Sequence, residues 1–193
     1  MNKYYVSVPL FLIVISLMGC ATAPVPRYSS SPNTAVKLQE FHSTYPSVLF
    51  SVGDFSKPAS ADGEQLCRLG AHISMPDNQS YTQYIRNSLV DELSLAKMYR
   101  DSGGALISGK IQKIDFSSTS GTWVINGLIN VGSESYTVNE NYGYSTSYFG
   151  GSACRATAAA FQSAVQDFIK KIITNPKFKK TLRSLSAEAS QDK

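Results

Sequence analysis

Histidine, cysteine and tryptophan are scarce in this chain of 193 residues, which has two, three and one of them respectively. The two histidines, His42 and His72, lie in unrelated segments, and neither has a second ligand at the spacing of a metal-binding motif. The sequence contains no nucleophile elbow, and no Gly-Lys-Ser or Gly-Lys-Thr follows its paired glycines. It therefore predicts no metal site, no cofactor and no enzymatic activity, with both histidines packed or solvated.

Charged residues are also few, at 17% of the chain, and neither sign dominates. The formal net charge is +4, and it falls to about +3 if an N-terminal segment containing Lys3 is removed. Basic and aromatic residues do not interleave as they do in nucleic-acid-binding domains. The composition therefore favours one ordinary folded domain and excludes nucleic acid as a partner.

The N-terminal apolar run, residues 6–18, is too short and wrongly flanked for a spanning helix. Lys3 precedes this run and the small residue Gly19 follows it, which is the layout of an export signal. The residues at the end of this segment resemble the lipobox of bacterial lipoproteins: Leu17-Met18-Gly19-Cys20. The alternative to a lipoprotein signal is an ordinary secretory signal followed by an incidental cysteine.

The resemblance to a lipobox implies a lipid anchor at Cys20. Cleavage before Cys20 would leave a diacylglycerol on its sulfur and an acyl chain such as palmitate on its new amino group. Two or three acyl chains give far firmer binding than one, at ~0.8 kcal/mol per buried methylene group. Ala21 rather than Asp follows the cysteine, which favours the outer membrane over retention at the inner membrane.

The other two cysteines, Cys67 and Cys154, predict a disulfide in an oxidising compartment. Such a bond would close a long loop, for which the chain-entropy model gives an upper figure of roughly 4–5 kcal/mol. Two buried free thiols are the alternative. A redox-active pair is disfavoured because the residues do not form a Cys-x-x-Cys unit.

Composition divides the chain into four parts. Residues 1–19 are the predicted signal peptide, and residues 20–35 are a flexible tether that begins at the lipidated Cys20 and is rich in Pro, Ser and Ala. Residues 36–185 are the folded domain, and residues 186–193 are a frayed polar tail.

Hydrophobic periodicity predicts one strand, a long helix, three strands and a second helix in the folded domain. Ser80 and Gln83 fit a capping box at the start of the first helix, and Ser152 is the expected N-cap of the second. The Gly- and Pro-rich loop over 56–80 contains a further short strand at 71–74. The predicted bounds are 47–52, 81–99, 105–116, 122–131, 135–147 and 152–174, with a short terminal helix at 177–185.

The order β–α–β–β–β–α predicts an α+β fold with a mainly antiparallel sheet of about four strands. The short connectors at 117–121 and 132–134 make the last three strands antiparallel neighbours. Two helices cover one face of such a sheet and leave the other partly exposed to water. The open face, or a groove beside it, is a candidate binding surface.

Three further features of the sequence are functional candidates. Asp91-Glu92 is expected on a solvated helix face, since the neighbours at helical spacing build no paired-carboxylate site. Tyrosines 136, 142, 144 and 148 form either an aromatic binding strip or half-buried strand positions. A basic cluster suits a helix C-terminus, or contact with anionic lipid heads or an acidic partner. Its members are Lys170, Lys171, Lys177, Lys179, Lys180 and Arg183.

Four stretches of the chain resemble the YajG-like family of bacterial outer-membrane lipoproteins. They also resemble, more distantly, the auxiliary lipoproteins of ABC-type transport systems, and the match covers roughly residues 48–182. The resemblance implies a core like the amino-terminal domain of TolB and transfers no functional residue except lipidated Cys20. The stretches are VGDF, YTQYIRNSLVDELSLAKMY, ALISGKIQKIDFSSTSGTW and AC…FQSAVQDFIKKIITNPKFKKTL.

The expectation from the sequence is a lipid-anchored outer-membrane protein with a periplasmic domain. Without a catalytic motif, its function is that of a non-enzymatic accessory or adaptor that binds another envelope component. The alternative is a lipid- or small-ligand-handling module of an ABC-type transport system, with apolar cargo between sheet and helix. The sequence identifies neither the partner nor the oligomeric state, and it leaves periplasmic and cell-surface exposure both open.

Overall fold

The computed structural model describes residues 22–57 and 66–191, which form a single α+β domain of four helices and two sheets. None of the helices in these residues is long and apolar enough to cross a bilayer. Cys20 lies outside the described residues. The elements are β1 (Thr22–Pro24), α1 (Pro32–Thr44), β2 (Phe50–Ser56), β3 (His72–Ser74), α2 (Tyr81–Leu95), β4 (Ala105–Ser117), β5 (Thr122–Val131), β6 (Glu134–Gly143), α3 (Gly150–Thr174) and α4 (Pro176–Gln191).

The main sheet has the strand order β2-β4-β5-β6. Strand β2 is parallel to β4 because α2 lies between them in the chain and returns it to the same end of the sheet. The other two pairs are antiparallel and joined by tight turns, as the short connectors predicted. Gly121 and Gly132 occupy these turns with φ of 70° and 56°, a region that favours glycine.

One face of the main sheet packs against α2 and α3. Along β5, alternate residues from Trp123 to Val131 are buried against this face, while their neighbours on the other face are half-buried. The Trp123 ring lies 4.7 Å from that of Phe161 on α3, and its indole N–H donates to the Thr157 carbonyl at 2.8 Å. Among the described residues no element covers the second face, so the α+β prediction with helices on one face is confirmed.

The flexible tether predicted for residues 20–35 is wrong over its described part, residues 22–35. Strand β1 pairs in parallel with β3, and Ala23 and Val25 are buried. Helix α1 then begins at Pro32, a residue suited to a first helical turn, and buries Leu38 and Phe41. The partner of β1 lies about fifty residues further along the chain, so local composition gave no sign of this pairing.

Several predicted boundaries also shift. Helix α2 ends at Leu95 instead of residue 99, because Lys97 has φ of 58° and the Phe50 N–H then donates to the Met98 carbonyl at 2.8 Å. Helix α3 begins at Gly150 with Phe149 at the N-cap, so Ser152 is not the cap. The last strand ends at Gly143, and the expected frayed tail is helical as far as Gln191. The capping box of α2 and the short strand at 72–74 are confirmed.

Cys67 and Cys154 are joined in a disulfide, with their Cα atoms 5.4 Å apart and a sequence separation of 87. Both are buried. The bond ties the segment before β3 to the first turns of α3, so the small β1–β3 sheet is held against the N-terminal part of that helix.

Candidate functional site

A polar cleft of about 790 Å³ lies between the N-terminal segment, the turn that precedes α2 and one side of α2 itself. Its volume falls in the range of small-molecule and peptide sites, ~300–1,000 Å³. We call it the α2 cleft. Its charged and phenolic lining residues include Arg27, Tyr28, Asp54, Asp77, Arg86 and Asp91.

The capping box fixes the residue at which α2 begins, and therefore where along the cleft the side chains of α2 lie. The Gln83 N–H donates to the Ser80 hydroxyl at 3.1 Å, and the Ser80 N–H donates to the Gln83 side-chain oxygen at 2.7 Å. One turn further on, the Arg86 guanidinium donates to the Val52 carbonyl of β2 at 3.0 Å. Arg86 is therefore held against the sheet edge instead of extending into solvent.

The turn before α2 supplies the opposite wall. Asp77 and Asn78 have φ of 55° and 54°, a conformation that short polar side chains tolerate. This turn brings Asp77 within 2.6 Å of the Arg27 guanidinium. Because both side chains are more than half exposed, the ion pair contributes only ~0–1 kcal/mol and remains open to exchange with a ligand.

Glu92 lies behind the cleft and is fully buried. Its Oε1 accepts two hydrogen bonds of 2.6 Å, from the Tyr28 hydroxyl and from the Ser31 N–H at the start of α1. Its Oε2 has no hydrogen-bond partner among the described residues. Burial raises the pKa of Glu92, against the lowering effect of these two hydrogen bonds. Burial also raises the pKa of Tyr28, and the hydrogen bond to Glu92 raises it further.

The solvated position predicted for Glu92 is therefore wrong, whereas its neighbour Asp91 is exposed on the cleft. The helical pattern carried a signal that could have shown this. Glu92 follows Ile85 by seven residues and Leu89 by three, so it falls on the buried stripe of α2. Desolvation also raises the pKa of Asp91.

The α2 cleft combines two guanidinium groups, three carboxyl groups and several side-chain amides. This set can recognise a polar ligand through paired hydrogen bonds and charges of both signs. No group of three His, Cys, Asp or Glu in the described part of the chain is placed to hold a metal ion. Sequence reasoning missed the cleft because Arg27 and Asp77 are fifty residues apart in sequence and meet only through the fold.

The predicted basic cluster is divided by the fold. Lys171 pairs with buried Glu140 at 3.1 Å and donates to the Asn139 carbonyl at 2.8 Å. Lys177 donates to the Ser135 carbonyl at 2.7 Å, and Lys180 pairs with Glu134 at 2.7 Å. These three lysines therefore contact strand β6. This strand lies at the edge of the sheet, where outward-facing backbone carbonyls have no neighbouring strand to donate to them. The remaining three, Lys170, Lys179 and Arg183, are exposed.

The four tyrosines do not form one strip. Tyr136 is buried, where its hydroxyl donates to the Ile172 carbonyl at 2.9 Å and desolvation raises its pKa. Tyr144 lies 2.7 Å from the Thr157 hydroxyl, and Tyr142 packs on the core. Only Tyr148 is fully available, at 91% exposure. Of the histidines, His72 is exposed and His42 is half-buried.

The open face of the main sheet is the second predicted surface. It carries polar side chains around Leu106, which is 51% exposed. Lys113 and Asp115 form an ion pair of 3.3 Å on β4. A smaller cavity of about 300 Å³ includes Leu106 in its lining, whereas the α2 cleft is larger and carries charges of both signs.

No protein-family model and no curated protein matches the sequence. Among solved structures, the crystal structure of an uncharacterized protein is similar at a TM-score of 0.47 with 12% sequence identity. The match covers 78% of this chain and 99% of that one.

Proposed function

We propose that this protein is a lipid-anchored, non-enzymatic component of the bacterial envelope that binds another envelope component in the α2 cleft. The lipobox-like sequence at Cys20 supports the anchor, an outer-membrane location and a periplasmic domain. The observation that carries the binding role is the α2 cleft itself, which gathers charges of both signs and in which the fold holds Arg86 against β2. The resemblance to YajG-like lipoproteins agrees with this role.

The packing between sheet and helix favours this adaptor role over the carrier alternative. A Cβ added to Gly127 on β5 would lie 3.0 Å from Ile111 and 3.2 Å from the Phe168 ring of α3. Ile111 and Phe168 are fully buried at this contact. An apolar cargo between β5 and α3 would have to displace these side chains, so we place the ligand outside the core.

The α2 cleft suits a polar segment of a protein partner that carries both acidic and basic groups. Asp54 and Asp91 offer carboxylates for the partner's basic side chains. Arg27 offers a guanidinium for an acidic one, since its bond to Asp77 is exposed and exchangeable. Arg86 is already fixed by Val52 and would orient the bound segment.

Photo-crosslinking in intact cells tests this role. A photoreactive residue replaces Asn87, an exposed amide in the cleft, and the matched control replaces Gln39, an exposed amide on α1. We expect position 87 alone to capture one discrete envelope protein, identified by mass spectrometry, and Asp91→Asn with Arg27→Ala to reduce that capture. Equal capture at both positions, or capture that the cleft substitutions leave unchanged, would contradict binding in the cleft. Crosslinks only to lipid would support the carrier.

A further inference from the structure

Two adjacent aromatic side chains are exposed in the loop before α3. Tyr148 is 91% exposed and Phe149 is 75% exposed, with their rings edge to face at 6.1 Å. Leu66, 47% exposed, comes two residues before Arg68, whose guanidinium donates to the Tyr148 carbonyl. Single exposed apolar residues need no explanation, but a neighbouring pair of large aromatic rings is the kind of patch that marks an interaction site. We call Leu66, Tyr148 and Phe149 the aromatic patch.

The loop that carries the aromatic patch is held by hydrogen bonds. The Arg68 guanidinium donates to the Ser147 and Tyr148 carbonyls at 3.1 Å each, and also to the Thr119 carbonyl at 3.2 Å. The Phe149 N–H donates to the Ser147 hydroxyl at 3.2 Å. The fold therefore presents the two rings to solvent on a braced loop.

The aromatic patch lies at the end of the domain where the described chain begins. Thr22 of β1 pairs with His72 of β3, and His72 forms a bridge to Leu66. Arg68, two residues after Leu66, reaches the Tyr148 carbonyl, and the Cys67–Cys154 bond fixes this segment to α3. Cys20 precedes Thr22 by two residues, a span of at most about 7 Å between Cα atoms.

Resting on the proposed lipid anchor, we propose that the aromatic patch inserts into the bilayer interface beside acylated Cys20 and sets the orientation of the domain on the membrane. The structured β1 leaves too little chain for the domain to move away from the bilayer. Tyrosine and phenylalanine suit this depth because their rings enter the acyl boundary while the tyrosine hydroxyl stays among the headgroups. Arg155, exposed on the first turns of α3, adds a positive charge toward anionic headgroups.

The proposed orientation has a consequence for the rest of the molecule. Strands β5 and β6 are ten residues long and run from this end to the turn at Gly132 and Ser133. At ~3.3 Å per residue, that turn stands roughly 30 Å from the membrane end of the strands. Lys177, which bonds to Ser135 near this turn, is then directed away from the bilayer that holds the anchor.

Fluorescence quenching in vesicles tests the orientation. The full-length lipidated protein carries Tyr148→Trp, or Ser133→Trp as the matched exposed control at the opposite end, in vesicles of phosphatidylethanolamine and phosphatidylglycerol. The native Trp123 is fully buried, so the parent protein supplies the background to subtract. We expect brominated acyl chains to quench the residue at 148 and vesicles to shift its emission to the blue, with no change for the residue at 133. Adding Leu66→Ser and Phe149→Ser to the first variant should reduce its quenching.

The outcomes separate this inference from the anchor on which it rests. If mass spectrometry finds Cys20 acylated but positions 148 and 133 are quenched equally or not at all, the orientation is wrong and the lipid anchor stands. If Cys20 is not acylated and the protein does not sediment with vesicles, the anchor fails, and the orientation fails with it.

Discussion

At the scale of single residues, Glu92 joins the N-terminal segment to helix α2. One buried carboxylate oxygen accepts from both Tyr28 and Ser31, so it connects two parts of the chain that are more than sixty residues apart. A hydrogen bond to a charged group contributes ~1.5–3 kcal/mol, but burial of the charge opposes this gain. The raised pKa of Glu92 shows that burial has the larger effect on its ionisation.

Glu92→Gln should make the free energy of unfolding less dependent on pH. Because burial raises the pKa of Glu92 in the folded state, the folded protein keeps this proton to a higher pH than the unfolded chain does. Ionisation of Glu92 therefore lowers stability as pH rises from the unfolded pKa through the folded pKa, and the loss persists above it. Gln keeps an oxygen for Tyr28 and Ser31 without the charge. Urea unfolding at a series of pH values measures the difference.

The matched control is Glu188→Gln, since Glu188 is exposed on α4. It should not change the pH dependence. Glu92→Ala, which leaves the Tyr28 hydroxyl and the Ser31 N–H unpaired, should lower stability by ~2–4 kcal/mol at a pH below the unfolded pKa of Glu92, where the parent keeps its proton in both states, and by less as pH rises. A Glu92→Gln protein whose stability follows the same pH curve as the parent would show that the pKa of Glu92 is the same in the folded protein and in the unfolded chain, and the prediction would be wrong.

At the scale of elements, patterns among neighbouring residues predicted the helices and hairpins that they determine. They did not predict a strand whose pairing partner is distant in sequence. The α2 capping box, the two antiparallel hairpins and the broad apolar stripe of α3 are written in neighbouring residues, and the structure has them. Strand β1 exists because β3 pairs with it, and no residue in 22–24 carries that information. Helix α1 did carry a signal, with Pro32 before Leu38 and Phe41, that a Pro- and Ser-rich composition obscured.

The candidate site was less predictable than the fold for the same physical reason. Each wall of the α2 cleft comes from a different segment, and Arg27 reaches Asp77 only after the β1–β3 pairing has brought both segments to α2. Buried Glu92 was the accessible clue, because a carboxylate on an apolar stripe requires partners. Its partners, Tyr28 and Ser31, lie in the part of the chain that composition predicted to be unstructured.

The contact between β5 and α3 gives a test of core packing. Gly127→Ala should lower stability by ~1–3 kcal/mol, because the new methyl group would lie within contact distance of Ile111 and Phe168 in a filled core. Gly143→Ala on β6 is the matched control, since its Cβ would meet no atom within 4 Å, and its effect should stay within ~0.5 kcal/mol. Urea unfolding compares the two. Equal losses of stability in the two variants would indicate unfilled space between the sheet and α3, and would support the carrier alternative.

At the scale of the whole molecule, the proposed features occupy different parts of one domain. The aromatic patch and the start of β1 lie at one end, and the basic cluster begins near the Gly132 turn at the other. If the anchor is at Cys20, exposed Lys170, Lys179 and Arg183 are better placed for an acidic partner than for the membrane that carries the protein. Among the two contacts that the sequence left open for this cluster, the fold therefore favours the partner.

The anchor itself is tested by Cys20→Ala in cells. We expect the variant to accumulate as an unlipidated precursor or to appear as a misrouted product without acyl chains, because only the thiol of Cys20 can receive the diacylglycerol. Detergent-phase partitioning measures the membrane association of each protein, and intact mass shows whether its signal peptide and acyl chains are present. Cys67→Ser is the matched control, since it removes a cysteine and the disulfide but leaves Cys20 in place. If the intact mass of the parent shows no acyl chains on Cys20 and Cys20→Ala partitions with membranes as the parent does, no lipid holds the protein there, and both the anchor and the orientation built on it are wrong.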